Sequence, residues 1–167
     1  MAEATQTVSR DLSIRMARSS DLDRLVQIEE ISFSGDRLSR RAFARQIRNP
    51  RSSVLVADVG GEMAGYAIIL FRSNSSAARL YSLAVDPRCR GAAIGRLLLR
   101  EAECTAAGRG ATRLRLEVRV DNEAARALYI SAGFRPIEDL PGYYADGGAG
   151  IRYEKILARG RGETATA

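Results

Sequence analysis

Leu83-Ala84-Val85-Asp86-Pro87-Arg88-Cys89-Arg90-Gly91-Ala92-Ala93-Ile94-Gly95 runs from an apolar strand through a small-residue turn into a helix. Such a junction suits phosphate. The first backbone N–H groups of a helix have no intrahelical partner, and the aligned peptide dipoles add partial positive charge there, so the main chain alone can hold a pyrophosphate. Gly91, Ala92, Ala93 and Gly95 keep bulk away from the turn, and Arg90 and Arg96 supply charged donors. The other reading of the same residues is a small-residue helix start that allows close packing.

What lies downstream narrows the choice. Leu116-Glu117-Val118-Arg119-Val120-Asp121-Asn122 is followed by Ala127-Leu128-Tyr129 and Ala132-Gly133-Phe134. With these in place, Arg90-Gly91-Ala92-Ala93-Ile94-Gly95 resembles the Arg/Gln-x-x-Gly-x-Gly/Ala signature of the GNAT superfamily of acetyl-coenzyme A dependent N-acetyltransferases. The block Asn-x-x-Ala-x-x-Leu-Tyr-x-x-x-Gly-Phe is similar to that superfamily's next motif. Leu-Glu-Val-Arg followed by Asn and Leu-Tyr looks most like the bacterial ribosomal-protein-alanine N-acetyltransferases and related protein N-terminal acetyltransferases, and Tyr143-Tyr144-Ala145-Asp146-Gly147 adds a third match. The resemblance covers residues 12 to 158.

At 167 residues the chain suits one domain with a sizeable core. A hydrophobic content of 46% with 28% charged residues is that of a soluble globular protein, and no apolar run approaches the roughly 20 residues that span a bilayer. The first ten residues lack the apolar centre of a signal peptide, so the cytoplasm is the expected location. Two cysteines, Cys89 and Cys104, make neither a disulfide framework nor a metal site; Cys104 is expected in the core and Cys89 as a solvated bystander. There is no histidine, which removes Ser-His-Asp and Cys-His catalysis and the usual zinc ligand sets, and Lys155 is the only lysine. A general base is therefore expected to be a carboxylate, a water chain, or a perturbed tyrosine or cysteine. The net charge of +6 comes from arginines scattered from Arg10 to Arg161 and not stacked with aromatics, a pattern that fits coenzyme phosphates and solvated faces better than nucleic acid.

Residues 1–10 and 159–167 read as disordered tails around one domain at 11–158. Within it, Leu12 to Met16 alternates as a strand, Ser19-Ser20-Asp21 offers a cap for a helix with Leu22, Leu25, Val26 and Ile28 on one face, and 39–48 is a second helix. Val54–Val59 and Met63–Phe71 form a hairpin about Gly60-Gly61. A strand at 80–85 leads to a helix at 94–106 with Leu97, Leu98, Ala102 and Cys104 as candidate inward positions. Residues 113–120 alternate so that Leu114, Leu116, Val118 and Val120 share one face and Glu117 lies on the other, between Arg115 and Arg119. A helix at 124–131 and strands at 135–138 and 151–157 complete a mixed α/β domain, a central sheet covered by helices. The resemblance implies further that this is a GNAT-like α+β fold whose mostly antiparallel sheet splays into a V between strands 80–85 and 113–120 to hold the coenzyme.

It also implies roles. Main-chain groups of Leu83, Ala84 and Val85 would bind the pantetheine and polarise the thioester, with the phosphates on Arg90, Gly91, Ala92, Ala93, Ile94, Gly95 and Arg96 and a further contact from Asn122. Tyr129 takes the place of the tyrosine that protonates the departing thiolate; packing between helix and sheet is the alternative for its ring. Glu117 matches the glutamate that acts as base, directly or through water, and the alternative is a carboxylate that neutralises its neighbours. Asn122 is expected to cap its helix, to bind the coenzyme, or both. Phe33, Tyr81, Tyr143 and Tyr144 are expected on the acceptor side. This chain departs from the family in Ala93, where glycine is usual, in Gly148-Ala149-Gly150, where Glu-Asp-Ala is common, and in Phe33-Ser34-Gly35-Asp36, where the bacterial alanine enzymes read Phe-x-x-Pro-Trp. The implied activity is acetyl transfer to a primary amine, foremost a protein or peptide amino terminus, in a ternary complex by a monomer or homodimer without a metal. A small amine, a lysine side chain, or a non-catalytic acetyl-coenzyme A module are the alternatives.

Overall fold

The structure, a computed structural model, describes residues 11–89 and 93–158. The expected tails and Arg90, Gly91 and Ala92 lie outside the described residues. The elements follow in the order β1 (Leu12–Met16), α1 (Leu22–Ser32), α2 (Arg40–Arg48), β2 (Ser52–Val59), β3 (Glu62–Leu70), β4 (Ala77–Val85), α3 (Ile94–Gly108), β5 (Arg113–Arg119), α4 (Glu123–Ser131), β6 (Arg135–Leu140) and β7 (Gly150–Ile156).

Local chemistry accounts for most boundaries. Gly60 and Gly61, both at positive φ, form the tight turn that matches the twist of β2 and β3, which pair from Ser52↔Leu70 to Val59↔Glu62. Ser39 caps α2 by accepting from the Ala42 N–H at 3.1 Å, and Asn122 caps α4 by accepting from Ala125 at the same distance. Gly133, at φ +95°, closes α4, with the Phe134 N–H returned to the Tyr129 carbonyl. Asp21 behaves differently from the expected cap: it makes no side-chain cap bond to α1 and is instead buried against the Arg15 guanidinium at 2.8 and 2.9 Å.

The seven strands form one sheet in the order β1-β2-β3-β4-β5-β7-β6, antiparallel except for β4 and β5. Helices cover both faces, so β2 and β3 read as near-continuous apolar runs whose alternate residues enter separate cores. Leu55, Ala57, Ala67 and Ile69 pack with Leu98, Leu99, Ala102 and Ala106 of α3. Val54, Val56, Tyr66 and Ile68 pack with Leu25 and Ile28 of α1 and Phe43 of α2. Three side-chain expectations are corrected here. Cys104 is exposed, because the buried stripe of α3 runs through Ile94, Leu98, Leu99, Ala102 and Ala106; Cys89 is half-buried and packed against the same core. Val120 is 41% exposed because β5 ends at Arg119 and the Val120 N–H turns to the Ala149 carbonyl.

The feature that positions the site is a fork. Parallel strands β4 and β5 pair only at Ala77↔Arg113, Ala78↔Leu114 and Arg79↔Arg115. Beyond Arg79 the β5-facing edge of β4 has no strand partner among the described residues, and the sheet opens as a V, as expected. A bulge coincides with the opening: Ile68 pairs with Ser82 and Ile69 with Leu80, which leaves Tyr81 as the extra residue in β4. Bulges bend a strand and sharpen its twist, and this one starts where β4 leaves β5.

Candidate active site

The V encloses a cavity of about 310 Å3. One wall is the free stretch of β4, with Tyr81, Ser82 and Leu83, and the other is β5, with Leu116 to Arg119, backed by Asn122 and Tyr129 from the start and body of α4. Phe33, Gly35, Asp36 and Leu38 close it from the α1–α2 connection, and Tyr143 and Tyr144 from the β6–β7 connection. Glu117, Tyr129, Asn122, Leu83, Phe33, Tyr81, Tyr143 and Tyr144, separated by more than a hundred positions in the chain, thus meet at one cavity. Of the other expected coenzyme residues, Ala84 and Ile94 have buried side chains, Val85 packs against the α3 core, and exposed Arg96 donates to the Ser131 hydroxyl at 3.1 Å.

Tyr129 is 8% exposed, its ring edge-on to Phe134 with centroids 5.8 Å apart. Its hydroxyl makes no hydrogen bond among the described residues, so packing alone does not account for the polar end. Burial, with a small contribution from the charge of Tyr144, pushes the phenol up to about 12 and keeps it protonated across the physiological range.

Glu117 is held differently from the expectation. Arg115 is engaged by Glu154 at 2.6 Å and Arg119 by Asp146 at 2.9 Å. Glu117 instead accepts from Arg79 of β4 at 3.0 Å and from Arg152, its register partner on β7, at 3.3 Å, with its own side chain 9% exposed. Neighbouring strands, and not neighbours in sequence, supply its countercharges. Arg79 also donates to the Tyr143 hydroxyl at 3.3 Å and lies 5.3 Å from the Tyr81 ring centre, so one guanidinium at the fork ties base candidate and acceptor-side aromatics together.

Within the Gly148-Ala149-Gly150 departure, Gly150 is packed against ring and backbone, whereas Gly148 faces the movable ends of two side chains. Arg119 stacks at 4.2 Å on the Tyr144 ring and pairs with Asp146, and a Cβ on Gly148 would lie 2.5 Å from the Arg119 guanidinium and 2.9 Å from Asp146. A Cβ on Gly150 would come within 3.1 Å of the Tyr144 ring. The missing Cβ at Gly150 lets the β6–β7 connection pack close to the Tyr144 ring and the Val118 carbonyl.

Sequence reasoning missed several members of this wall, Arg79 and Ser82 among them, and one that is buried. Glu29, on α1, is 2% exposed and lines the cavity. It accepts from the Leu38 N–H at 2.9 Å and from the Tyr66 hydroxyl, which in turn lies 3.0 Å from the Ser82 hydroxyl. Burial, followed by the charge of Glu29, raises the Tyr66 phenol well above its ordinary value. A glutamate one residue from the buried Ile28 in an amphipathic helix was the available signal.

The fork, the cleft and the motif order agree with what comparison shows. The Acetyltransferase (GNAT) family matches residues 22–134. The chain belongs to the GNAT acetyltransferase family. Over 133 residues it is 38% identical to N-alpha-acetyltransferase RimI of Mycobacterium tuberculosis, covering 78% of this chain and 82% of that protein. Its fold is similar to the ribosomal-protein-S18-alanine N-acetyltransferase of Escherichia coli, with a TM-score of 0.79 and 30% identity over 92% of this chain and 97% of that one. The ribosomal-protein-alanine N-acetyltransferase of Brucella melitensis gives a TM-score of 0.75 and 26% identity over 87% and 99%. This GNAT member is an N-acetyltransferase, and acetyl-coenzyme A is its co-substrate. Among the described residues no helix is long and apolar enough to cross a membrane, and no group of three or more His, Cys, Asp or Glu is arranged to hold a metal ion.

Proposed function

We propose that this GNAT enzyme acetylates the amino terminus of a protein, in the cytoplasm, with residues 11–158 as the acetyltransferase unit. The observation that carries the reading is the meeting of Glu117, Tyr129 and the aromatic acceptor-side residues at one cavity in the fork. The kinship with enzymes named for N-terminal and ribosomal-protein-alanine acetylation supports the choice of acceptor.

The chain fits acetyl-coenzyme A at two points: the edge of β4 at Leu83 to Val85 has main-chain groups free of a strand partner, and Tyr129 has a free hydroxyl in the cleft. Bound there, the thioester supplies the acetyl group. Main-chain donors of β4 polarise its carbonyl, while the α3 start at Ala93 to Arg96, with Asn122, takes the phosphate end. The Tyr129 hydroxyl donates its proton to the departing sulfur. The burial that lifts the phenol also lifts a thiolate formed in the same cleft, so the two stay matched. Glu117 receives the amine proton through water. Little is asked of this carboxylate, because a free amino terminus has a pKa near 8 and holds that proton loosely. Phe33, Tyr81, Tyr143 and Tyr144 enclose the first residues of the acceptor.

Thiol release with a panel of peptides, free amino acids, polyamines and an amino-terminally blocked lysine peptide tests the reading. Free amino termini should be the preferred acceptors, and Tyr129→Phe should lower kcat by about 10² or more with acetyl-coenzyme A affinity unchanged. Preference for the small amines or the blocked lysine peptide would overturn the acceptor, and a near-parental rate for Tyr129→Phe would remove the tyrosine from the chemistry.

A further inference from the structure

The buried carboxylates Asp21 and Asp86 are ion-paired, Asp21 with Arg15 and Asp86 with Arg24 and Arg88, and half-buried Glu117 pairs with Arg79 and Arg152. Glu29 is buried as deeply and forms no ion pair among the described residues. Burying a carboxylate without a cation is costly, and the structure offsets that cost with hydrogen bonds alone. Their directions follow from chemistry. Tyr66 donates its one hydroxyl proton to Glu29, so the Ser82 hydroxyl donates to the Tyr66 oxygen. The other Glu29 oxygen takes the Leu38 N–H.

These contacts join two parts of the cleft. Ser82 belongs to the free stretch of β4, directly after the bulged Tyr81. Leu38 belongs to the connection from Phe33, which ends α1, to Ser39, which caps α2. That connection lines the cavity with Phe33, Gly35, Asp36 and Leu38, and it contains Asp36 at φ +48°, a conformation that costs a non-glycine residue energy. Among the described residues Arg37 bonds within the connection, to the Phe33 carbonyl. Among the described residues the hydrogen bond to Glu29 is the polar side-chain tie from this loop to the helix and, through Tyr66, to the sheet, beside the packing of Phe33 and Leu38 on the core.

We propose that Glu29 is a positioning residue for the acceptor: through Leu38 on one oxygen and Tyr66 and Ser82 on the other, it sets the distance between the α1–α2 loop and β4 across which the amine is presented. This rests on the reading that the loop side of the cleft takes the acceptor. The carboxylate is a spacer and clamp here, and neither gives nor takes a proton in the reaction.

Steady-state kinetics with a peptide acceptor separate this from other roles. Glu29→Gln keeps an oxygen for the Leu38 N–H and an amide for the Tyr66 oxygen, so acceptor KM should stay within about threefold of the parent. Glu29→Ala leaves the Leu38 N–H unpaired and the loop held by the packing of Phe33 and Leu38 alone; acceptor KM should rise about tenfold or more, while kcat at saturating acceptor and acetyl-coenzyme A KM change little. Glu29→Asp, too short to reach both partners, should behave as a milder Glu29→Ala and serves if the alanine variant does not fold. An unchanged acceptor KM in both shortened variants overturns the proposal. So does a kcat loss in Glu29→Gln equal to that in Glu29→Ala, which would mark the charge itself as part of the chemistry. A parent enzyme that turns over small amines and no peptide refutes the acceptor reading and the proposal with it, whereas peptide turnover with an unmoved acceptor KM refutes the role of Glu29 alone.

Discussion

Gly65→Ala, set beside Gly95→Ala, tests whether the junction of β3, β4 and α3 is packed as tightly as the structure shows. Gly65 pairs with Val85 at the end of β4, and a Cβ there would lie 2.7 Å from the Ala84 carbonyl oxygen, 3.1 Å from Leu98 Cδ1 and 3.4 Å from Val85 Cα. Carbon–oxygen contacts of this kind settle at about 3.3 Å or more, so the β4 backbone must move by roughly 0.6 Å or the helix must lift. Overpacking of a close-packed interior costs about 1–3 kcal/mol, and with backbone on one side and a core leucine on the other the upper half of that range applies. Loss of glycine's freedom in the unfolded chain returns about 0.4–1 kcal/mol, which leaves a net loss of roughly 2 kcal/mol and a fall in Tm of about 4–8 °C for a domain of this size. A Cβ on Gly95 would meet Leu128 and Val85 methyls at 3.6 and 3.7 Å, ordinary contacts, so Gly95→Ala should match the parent or exceed it slightly. Thermal denaturation followed by circular dichroism measures both. Since Ala84 and Val85 are proposed to contact the coenzyme, calorimetric titration with acetyl-coenzyme A should show weaker binding for Gly65→Ala and parental binding for Gly95→Ala. Equal stability of the two variants would refute the packing argument.

Ala93 precedes α3 at φ +60°, where a Cβ is strained, so Ala93→Gly should raise stability by about 0.5–1 kcal/mol, and Ala93→Val should lower it; a reversed order in urea denaturation would contradict the backbone assignment. Asp86 is fully buried, and hydrogen bonds from Arg88 first, against the opposing effect of burial, then from Arg24, hold its carboxyl well below the usual carboxylate range. A folded-state pKa below the unfolded value of about 4 gives stability that is present above that pH and lost as pH falls beneath it. Asp86→Asn should therefore cost about 2–4 kcal/mol at pH 7 and flatten the loss of stability between about pH 4 and pH 2, as read from Tm against pH. Cys89→Ala and Cys104→Ala should leave turnover intact, since neither thiol has a histidine to activate it. Parallel double-reciprocal lines would show an acetyl-enzyme instead of direct transfer.

The fold was legible wherever local chemistry fixes it. Paired glycines turned β2 into β3, Ser39 and Asn122 capped their helices, and alternation assigned Leu114, Leu116 and Val118 to the core. The fork was not legible in periodicity, because the bulge at Tyr81 adds one residue without breaking the apolar character of β4. The resemblance supplied it. Val120 continued the alternation on paper and left the core in the structure, since a strand ends where its partner does, and the partner, β7, begins at Gly150 opposite Arg119.

Charged residues at the cleft show why a site is harder to read than a fold. On β5, Arg115, Glu117 and Arg119 suggest one another as partners, yet adjacent side chains on one face of a strand also face the strands on either side, where the register sets what they meet. Arg79 and Arg152 lie 38 and 35 positions from Glu117, and the β4–β5 fork and the β5–β7 register bring them to it. The same reasoning applies to Glu29, which looks like a solvated helix residue in a run of two glutamates until Tyr66, on the far strand of a hairpin, is placed beneath it. In both cases the residue type was visible and its partners were not, because the donors come from other elements of the fold. An acetyltransferase cleft with one carboxylate clamped by arginines and another by neutral donors has two different electrostatic surroundings within one cavity. Glu117 sits between two guanidiniums at the fork, and Glu29, without a cation among the described residues, takes its donors from a main-chain N–H and a phenol.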